Sequence, residues 1–359
     1  MTQTRCLKVD PHHPQTESLE EAGRVLRAGG TVAFPTETVY GLGADALNPA
    51  AIEKIFAAKD RPVDNPLIVH IADWQQLSQL TKEPPPALFQ LGERFWPGPL
   101  TLIVPRHPRV PAEVSAGLPT VALRWPDHPV AVALIKVAGI PLAAPSANRS
   151  GRPSPTSAQH VKDDLEGKID IILDGGPTGV GVESTVLDLT RDPPVILRPG
   201  GVTREMLKAV LGRVEVAAEE TVAAPPSPGM KYRHYAPDTP LLLLEGELSQ
   251  MAEQVRRLVQ SYRAAGRRVG LLASEELLIQ CAEAGGPGGW GADYVFRLGS
   301  RSRLKEVAAN LYQSLRQSDS AALDLILVES FPEHGLGSAI MNRLRRAAKA
   351  PGRDEEANQ

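Results

Sequence analysis

The sequence has few cysteines and no excess of basic charge. Its 359 residues include only Cys6 and Cys281, which lie too far apart to predict a disulfide framework or a paired-cysteine metal site, and this usage favours the reducing cytoplasm. Lys and Arg number 39 against 42 Asp and Glu, so the formal net charge is -3. This balance excludes a generally basic protein that wraps nucleic acid.

Long apolar segments and secretion signals are also lacking. Met1–Asp10 alternates polar and apolar residues, without the charged and then apolar run of a signal peptide. No stretch approaches the roughly 18 uninterrupted apolar residues of a membrane span. We therefore expect a soluble cytoplasmic protein that has no membrane partner.

Several common catalytic motifs are missing. The sequence contains no HExxH, no Cys/His zinc spacing and no GxSxG element. We therefore predict no metal-ligating residues, and metal-dependent hydrolysis and serine acyl transfer are disfavoured. Gly41–Ala46 superficially matches a dinucleotide fingerprint, but the segment continues to Asn48 before a helix begins, so the match is weak.

Composition and periodicity predict a globular protein of about two domains. Hydrophobic residues make up 42% of the chain and charged residues 23%, close to globular averages. Ser18 and Glu21 predict a capping box that opens a helix, Thr31–Phe34 a short buried strand, and Asn48 with Pro49 another helix start. Further strands are predicted at Leu67–Ile71, Leu100–Val104, Thr120–Leu123, Ile169–Leu173, Ser184–Leu189 and Val195–Leu197, with helices at Val130–Val137 and Thr203–Leu211.

A Pro-rich stretch separates two regions of the chain. Periodicity is lost between Glu215 and Pro228, which predicts a linker. Beyond it, strands alternate with helices, which favours a small parallel sheet of Rossmann-like type. We predict an α/β (α+β) first domain at 1–214, a linker at 215–239, a smaller parallel α/β domain at 240–350 and a tail at 351–359.

Three polar clusters follow predicted strands or helices in the first domain. PTETVYGLG at 35–43 offers hydroxyl groups and glycine-exposed amides that suit a carboxylate or phosphate, although an ordinary turn has the same composition. KDRPVDNPLIVHI at 59–71 brings Lys59, Arg61 and Asn65 into one short loop, where anion binding is preferred over a solvated basic turn.

The third cluster, at 143–156, is rich in short polar side chains. Ser146 and Asn148 alternate, so in an extended segment they point to one face and can bond phosphate oxygens or ribose. Arg124 and Arg198 add cations after two further strands, with surface ion pairs as the alternative interpretation. Gly175–Ser184 offers backbone amides for an anion nest but lacks a P-loop ending.

In order along the chain, these clusters resemble the YrdC-like family of threonylcarbamoyl-AMP synthases. The segments that carry the resemblance are PTETVYGLG, KDRPVDNPL with VHI, LPTVALRWP, PLAAPSANRSGRPSPT, GVESTV and LRPG. KYRHYAP and the ending GLGSAIMNRLRRAA resemble longer members that append a Rossmann-like domain. The resemblance implies a YrdC-like twisted mixed-sheet domain followed by this smaller domain.

The resemblance also implies a reaction and its partners. L-threonine, bicarbonate or CO2, and ATP would give threonylcarbamoyl-AMP and pyrophosphate, with Mg²⁺ on the triphosphate. The amine of threonine would form a carbamate whose oxygen attacks the α-phosphorus, so the protein mainly positions two anions against each other. The product would pass to a separate transferase that modifies the adenosine beside the anticodon in tRNA.

Residue roles follow from the resemblance by position. Lys59 and Arg61 would be catalytic, and Arg124 would bind the carboxylate of threonine. Tyr235 in the linker would close over the nucleotide as part of a lid. ATP would be held by Lys59, Arg61, Asn65, Thr120, Ser146, Asn148, Ser154, Arg198 and Tyr235. Threonine would be held by Thr36, Thr38, His70, Arg124, Ala144 and Ser184.

The sequence is also compatible with two other functions. The chain could be a double-stranded RNA or tRNA-binding module with regulatory nucleotide binding, and weak tRNA binding is compatible with either function. It could also be a relative that forms a carbamoyl adenylate from carbamoyl phosphate. Such relatives carry zinc-finger modules, for which the sequence has no cysteine spacing.

Overall fold

The chain divides into two compact units. The second unit includes three residues, Gly151–Pro153, that interrupt the sequence of the first unit. The computed structural model describes residues 3–217, 235–285 and 291–348. One unit comprises Met1–Ser150 and Ser154–Tyr232, and the other comprises Gly151–Pro153 and Arg233–Gln359. Most of the sequence-predicted linker and the whole tail lie outside the described residues.

A mixed sheet forms the frame of the first unit. Its described strands lie in the order β1-β8-β2-β3-β7-β4-β6-β5-β9-β10-β11, with both parallel and antiparallel neighbours. The strands are β1 (Arg5–Lys8), β2 (Val32–Phe34), β3 (Gly41–Asp45), β4 (Ile68–His70), β5 (Leu100–Pro105), β6 (Thr120–Arg124), β7 (Leu142–Ala143), β8 (Ile171–Asp174), β9 (Thr185–Asp188), β10 (Val195–Arg198) and β11 (Glu215–Val216).

Helices cover this sheet. They are α1 (Thr16–Arg27), α2 (Pro49–Lys59), α3 (Leu77–Leu80), α4 (Pro86–Phe95), α5 (Ala112–Ser115), α6 (Pro129–Ala138), α7 (Ala158–Leu165) and α8 (Arg204–Leu211), with a short 3₁₀ turn at Trp74–Gln76. Val32 and Phe34 belong to the hydrophobic core formed with α1 and α6, whereas Ala33 belongs to the core formed with α2 and α4. Successive strand residues point to opposite faces, so burial on both faces explains the continuous apolar run.

The α2 helix begins where the sequence predicts. Asn48 accepts hydrogen bonds from the amides of Ala50 and Ala51, and Pro49 occupies the first turn. The helix ends at Lys59, followed by Asp60 in the left-handed conformation with φ 51°. Because Ile52 and Lys59 are seven residues apart, they share the buried face, which points Lys59 into the protein.

Some local predictions are wrong. The α1 helix begins at Thr16, before the proposed Ser18 capping box, and its N-cap residue Gln15 makes no side-chain capping bond. Gly41–Asp45 is a strand between β2 and β7, which excludes the weak match to the dinucleotide fingerprint, since that motif opens a helix. Glu215 and Val216 begin the predicted linker yet form β11 by pairing with β10.

The second unit is the parallel α/β structure that the sequence predicts. Its four described strands lie in the order β12-β15-β13-β14 and all pair in parallel. The elements are β12 (Leu241–Leu244), α9 (Leu248–Ala264), β13 (Val269–Ser274), α10 (Glu275–Gly285), β14 (Tyr294–Gly299), α11 (Leu304–Ser320), β15 (Leu325–Glu329) and α12 (Gly337–Ala348). No helix in the described part of the chain is long and apolar enough to cross a bilayer.

Candidate active site

A row of directly paired residues, called here the strand row, crosses five neighbouring strands of the first unit. His70 in β4 pairs with Arg124 in β6, which pairs with Thr101 in β5. Thr101 pairs with Val186 in β9, which pairs with Arg198 in β10. At one strand spacing per step, the row spans about 19 Å. The sheet therefore aligns three site residues that are up to 128 positions apart in sequence.

Arg124 reaches the first polar cluster. Its Nη2 donates to the Thr38 hydroxyl at 2.9 Å and lies 2.7 Å from Oε2 of Glu37. The hydroxyl oxygens of Thr36 and Thr38 are 2.8 Å apart, and that of Thr36 also donates to the Val39 carbonyl. The turn after β2 is thus held by hydroxyl contacts and presents its side chains to the guanidinium.

Lys59 holds the third cluster. Its ammonium donates to the carbonyl oxygen of Ser146 at 2.5 Å and to that of Asn148. The Ser146 hydroxyl donates to the Asn148 side-chain oxygen at 2.6 Å, so the two side chains meet as their alternation predicts. Ala144 begins this loop, and its amide donates to Ile68 in β4. The end of α2 therefore fixes the loop beside the row.

Ser184 connects Arg198 to the row. Its hydroxyl oxygen is 2.7 Å from that of Thr101, and Arg198 donates to the hydroxyl at 3.2 Å and to the Ser184 carbonyl at 3.1 Å. Next to it, Glu183 accepts a hydrogen bond from Ser154. Thr101 and Glu183 were not identified from sequence, because they lie in or beside strands and carry no local signal.

Arg61 and Asn65 form their own loop. Arg61 donates to the carbonyl oxygens of Asn65 and Pro66 at 3.2 and 3.0 Å. The Asn65 side chain is 1% exposed, and neither its oxygen nor its nitrogen has a hydrogen-bond partner in the described structure. Buried amides are normally satisfied, so this one is suited to a polar ligand. Thr120 is half-buried at the start of β6, four residues from Arg124.

Burial concentrates positive charge around the site. Lys59, Arg61, Arg124 and Arg198 are all at most 8% exposed. Removing cations from water is costly, and anionic groups such as Glu37 beside Arg124 offset that cost. His70 does not add to this charge, because burial, reinforced by Arg124, lowers its pKa to about 3. The site therefore suits a polyanion rather than an apolar ligand.

The Gly175–Ser184 segment supports the first cluster. The amide of Val180 donates to the Glu37 carbonyl at 2.8 Å, and that of Gly181 to the Thr38 carbonyl at 3.2 Å. These amides are consequently engaged by protein, and the sequence-based anion nest is wrong for both of them. The segment instead fixes the turn that contains Glu37.

Tyr235 is described within the second unit. Its ring stacks on that of Tyr312 with centroids 5.6 Å apart, and the Arg343 guanidinium carbon lies 5.3 Å from its centroid. It is 4% exposed and has a φ of 66°. Its role in nucleotide binding stays a prediction.

Comparisons with known proteins match both units. A family profile described as "Telomere recombination", with the label Sua5_yciO_yrdC, matches residues 24–200. A second, described as "Threonylcarbamoyl-AMP synthase, C-terminal domain", matches residues 202–349. Threonylcarbamoyl-AMP synthase of Bacillus subtilis is 53% identical over 333 residues, which are 92% of each chain. The chain belongs to the threonylcarbamoyl-AMP synthase family.

A second relative and a solved structure come from Pyrococcus abyssi. The threonylcarbamoyl-AMP synthase of Pyrococcus abyssi is 47% identical over 91% of this chain and 93% of its own. The crystal structure of P. abyssi Sua5 complexed with L-threonine matches with a TM-score of 0.89 and 44% identity, covering 97% of this chain and 98% of that one. The long, two-domain form of the synthase family is therefore the fold of this chain.

Proposed function

We propose that the chain forms threonylcarbamoyl-AMP and pyrophosphate from L-threonine, bicarbonate or CO2, and ATP. The observation that carries the proposal is the strand row, which places Arg124, suited to a carboxylate, on the same sheet as Arg198, suited to phosphate. Two anions held on one rigid frame need little further ordering before they react. A carbamate oxygen would attack the α-phosphorus, and pyrophosphate would leave.

The contacts support separate roles for the predicted residues, with one group binding ATP and the other binding threonine. On the nucleotide side, Lys59 and Arg198 would offset charge on the phosphates, with the Ser146 and Asn148 side chains beside them. Arg61, Asn65, Thr120, Ser154 and Tyr235 would complete ATP binding. On the amino-acid side, Arg124 would bind the carboxylate, with Thr36, Thr38, His70, Ala144 and Ser184 lining the pocket.

Mg²⁺ would bind with ATP. In the part of the chain that the structure describes, no group of three or more His, Cys, Asp or Glu side chains could hold a metal ion. Mg²⁺ usually accompanies nucleotides with triphosphate oxygens and water as most of its ligands. The ion would neutralise charge on the triphosphate. The product would be used in the cytoplasm by a tRNA-modifying transferase.

The experiment is to identify the adenylate. The full chain is incubated with ATP, Mg²⁺, ¹³C-bicarbonate and either L-threonine or L-serine, and the products are analysed by mass spectrometry. We expect threonylcarbamoyl-AMP carrying one ¹³C, less of the serine product, and loss of both with EDTA. A pocket that recognises one methyl group discriminates by about 10- to 200-fold. ATP turnover without a labelled adenylate would contradict the proposal.

A further inference from the structure

Glu37 is a buried carboxylate that the predicted site does not use. It lies between Thr36 and Thr38, and its side chain is 13% exposed. Apart from its ion pair with Arg124, neither carboxylate oxygen has a hydrogen-bond partner among the residues described. A buried carboxylate with unused acceptor positions needs an explanation, because desolvation without compensating hydrogen bonds is costly.

Arg124 also has unused capacity. Its Nη2 faces Thr38 and Glu37, whereas its Nε has no hydrogen-bond partner in the described structure. A guanidinium can present Nε and a terminal nitrogen to one carboxylate as a fork. Nη2 is the terminal nitrogen on the same edge as Nε, so a ligand carboxylate that binds this edge replaces the contact of Nη2 with Thr38 or with Glu37.

Charge balance indicates what this pair can bind. An amino acid carries a carboxylate and an ammonium group about 2.5 Å apart, since both are bonded to one carbon. The predicted threonine pocket supplies Arg124 for the carboxylate but contains no anion for the ammonium. Glu37 and Arg124 lie side by side at 2.7 Å, so they offer opposite charges at the spacing of such a head group.

We propose that Glu37 binds the α-ammonium group of the amino-acid substrate while Arg124 binds its carboxylate. The inference rests on the proposed function and deepens it by naming a residue that recognises the unreacted amine. The support is structural as well as electrostatic, since the Glu37 carbonyl accepts the Val180 amide and fixes the turn. The contact belongs to binding, because the nitrogen loses its charge once it is carbamoylated.

The role of Glu37 is tested by comparing how wild type and a Glu37 variant bind threonine and an analogue without the amine. Calorimetry measures the Kd of L-threonine and of 3-hydroxybutanoate, which lacks only the amine, for the wild-type chain and for Glu37→Gln. We expect wild type to prefer threonine, and the preference to fall about 10- to 100-fold in Glu37→Gln because a charge-assisted contact is lost. Glu53→Gln, which changes an exposed carboxylate on α2, is the matched control and should keep the preference.

The outcomes separate the possible roles. If both ligands weaken equally in Glu37→Gln, Glu37 only positions Arg124 and the assignment is overturned. If Glu37→Gln does not fold, Glu37→Asp keeps the charge with a shorter reach and should show an intermediate preference; an unchanged preference overturns the assignment. If wild type binds neither ligand and forms no adenylate, the proposed function itself fails. If it forms the adenylate while Glu37→Gln keeps the full preference, only the Glu37 assignment fails.

Discussion

Three of the four buried cations of the candidate site donate to backbone carbonyl groups. Lys59 donates to Ser146 and Asn148, Arg61 to Asn65 and Pro66, and Arg198 to Ser184. Arg198 also donates to the Ser184 hydroxyl, and Arg124 contacts the side chains of Thr38 and Glu37 in the first polar cluster.

Replacing Lys59 tests the phosphate side of the site. Lys59→Met removes the ammonium and keeps the apolar stem, so threonine-dependent pyrophosphate release should fall at least about 100-fold in kcat. Lys54→Met is the control on the same helix, since the Lys54 ammonium donates to the Gly29 carbonyl. Similar losses in both variants would show that helix α2, rather than the Lys59 charge, is responsible.

Replacing Arg124 tests the amino-acid side. Arg124→Lys keeps the positive charge but loses the planar fork, so we expect the KM for threonine to rise about tenfold or more while that for ATP changes little. Initial-rate kinetics with each substrate varied in turn provides the measurement. Equal increases in both KM values would remove Arg124 from the threonine pocket.

His70 predicts a pH dependence of stability. Its folded-state pKa of about 3 lies below its ordinary value of 6.5, so the unfolded chain takes up the proton first as pH falls. The resulting stabilisation is complete above about pH 6.5 and is lost progressively towards pH 3. Between pH 7.5 and 5 this residue should account for about 2 kcal/mol of the unfolding free energy. Urea unfolding of wild type and His70→Gln should show a shallower pH slope in the variant; parallel slopes would contradict the assignment.

The sequence indicates candidate site residues but not which of them lie together. Hydroxyl and cationic side chains after apolar runs predict anion binding wherever they occur. Strand register decides which of these side chains lie together, as it does for His70 and Arg124. The residues around each strand do not specify that register. Glu37 carries no such signal, because a carboxylate is not among the side chains that predict anion binding.

Among the helices and strands, the sequence predicts an element correctly where its apolar pattern or its capping residues are clear. The strand at Val32–Phe34 is apolar on both faces, and the start of α2 is marked by Asn48 and Pro49. The β3 strand was missed because its glycines weaken the strand signal, although Gly43 is needed: an added Cβ would lie 2.7 Å from the Phe34 ring. Tertiary packing decided the structure there.

The turn after β10 gives a prediction at this scale. A Cβ on Gly200 would meet the Thr185 amide nitrogen at 2.3 Å and the Glu183 carbonyl oxygen at 2.4 Å. Gly200→Ala should therefore push away the segment that holds Ser184, lowering stability by about 1–3 kcal/mol and reducing activity. For Gly179→Ala the nearest atom is 4.0 Å away, so that variant is the control. Equal melting temperatures for the two variants would contradict the close approach.

At the scale of the whole molecule, the charge balance bears on the RNA-binding alternative. With a net charge of -3 the chain lacks an overall attraction for phosphate backbones. We expect tRNA to bind weakly in filter assays, with an affinity that falls steeply as salt rises, and the adenylate to form at the same rate without RNA. Tight, salt-resistant binding or a requirement for RNA would favour the alternative.

The two-part organisation was predictable in outline. The loss of periodicity after Glu215 and the later alternation of strands and helices indicate a second, parallel α/β unit. The grouping of Gly151–Pro153 with that unit was not predictable, because it arises from contacts distant in sequence. For example, the Pro153 carbonyl accepts a hydrogen bond from Arg316.

We infer that one sheet holds the amino acid and the nucleotide against each other. A crystal structure of the chain with L-threonine, Mg²⁺ and a non-hydrolysable ATP analogue tests it most directly. We expect the threonine carboxylate on Arg124, the phosphates beside Lys59 and Arg198, and a gap between the amine and the α-phosphorus that one carboxyl group can bridge. Ligands bound in separate cavities, or phosphates away from both cations, would contradict it.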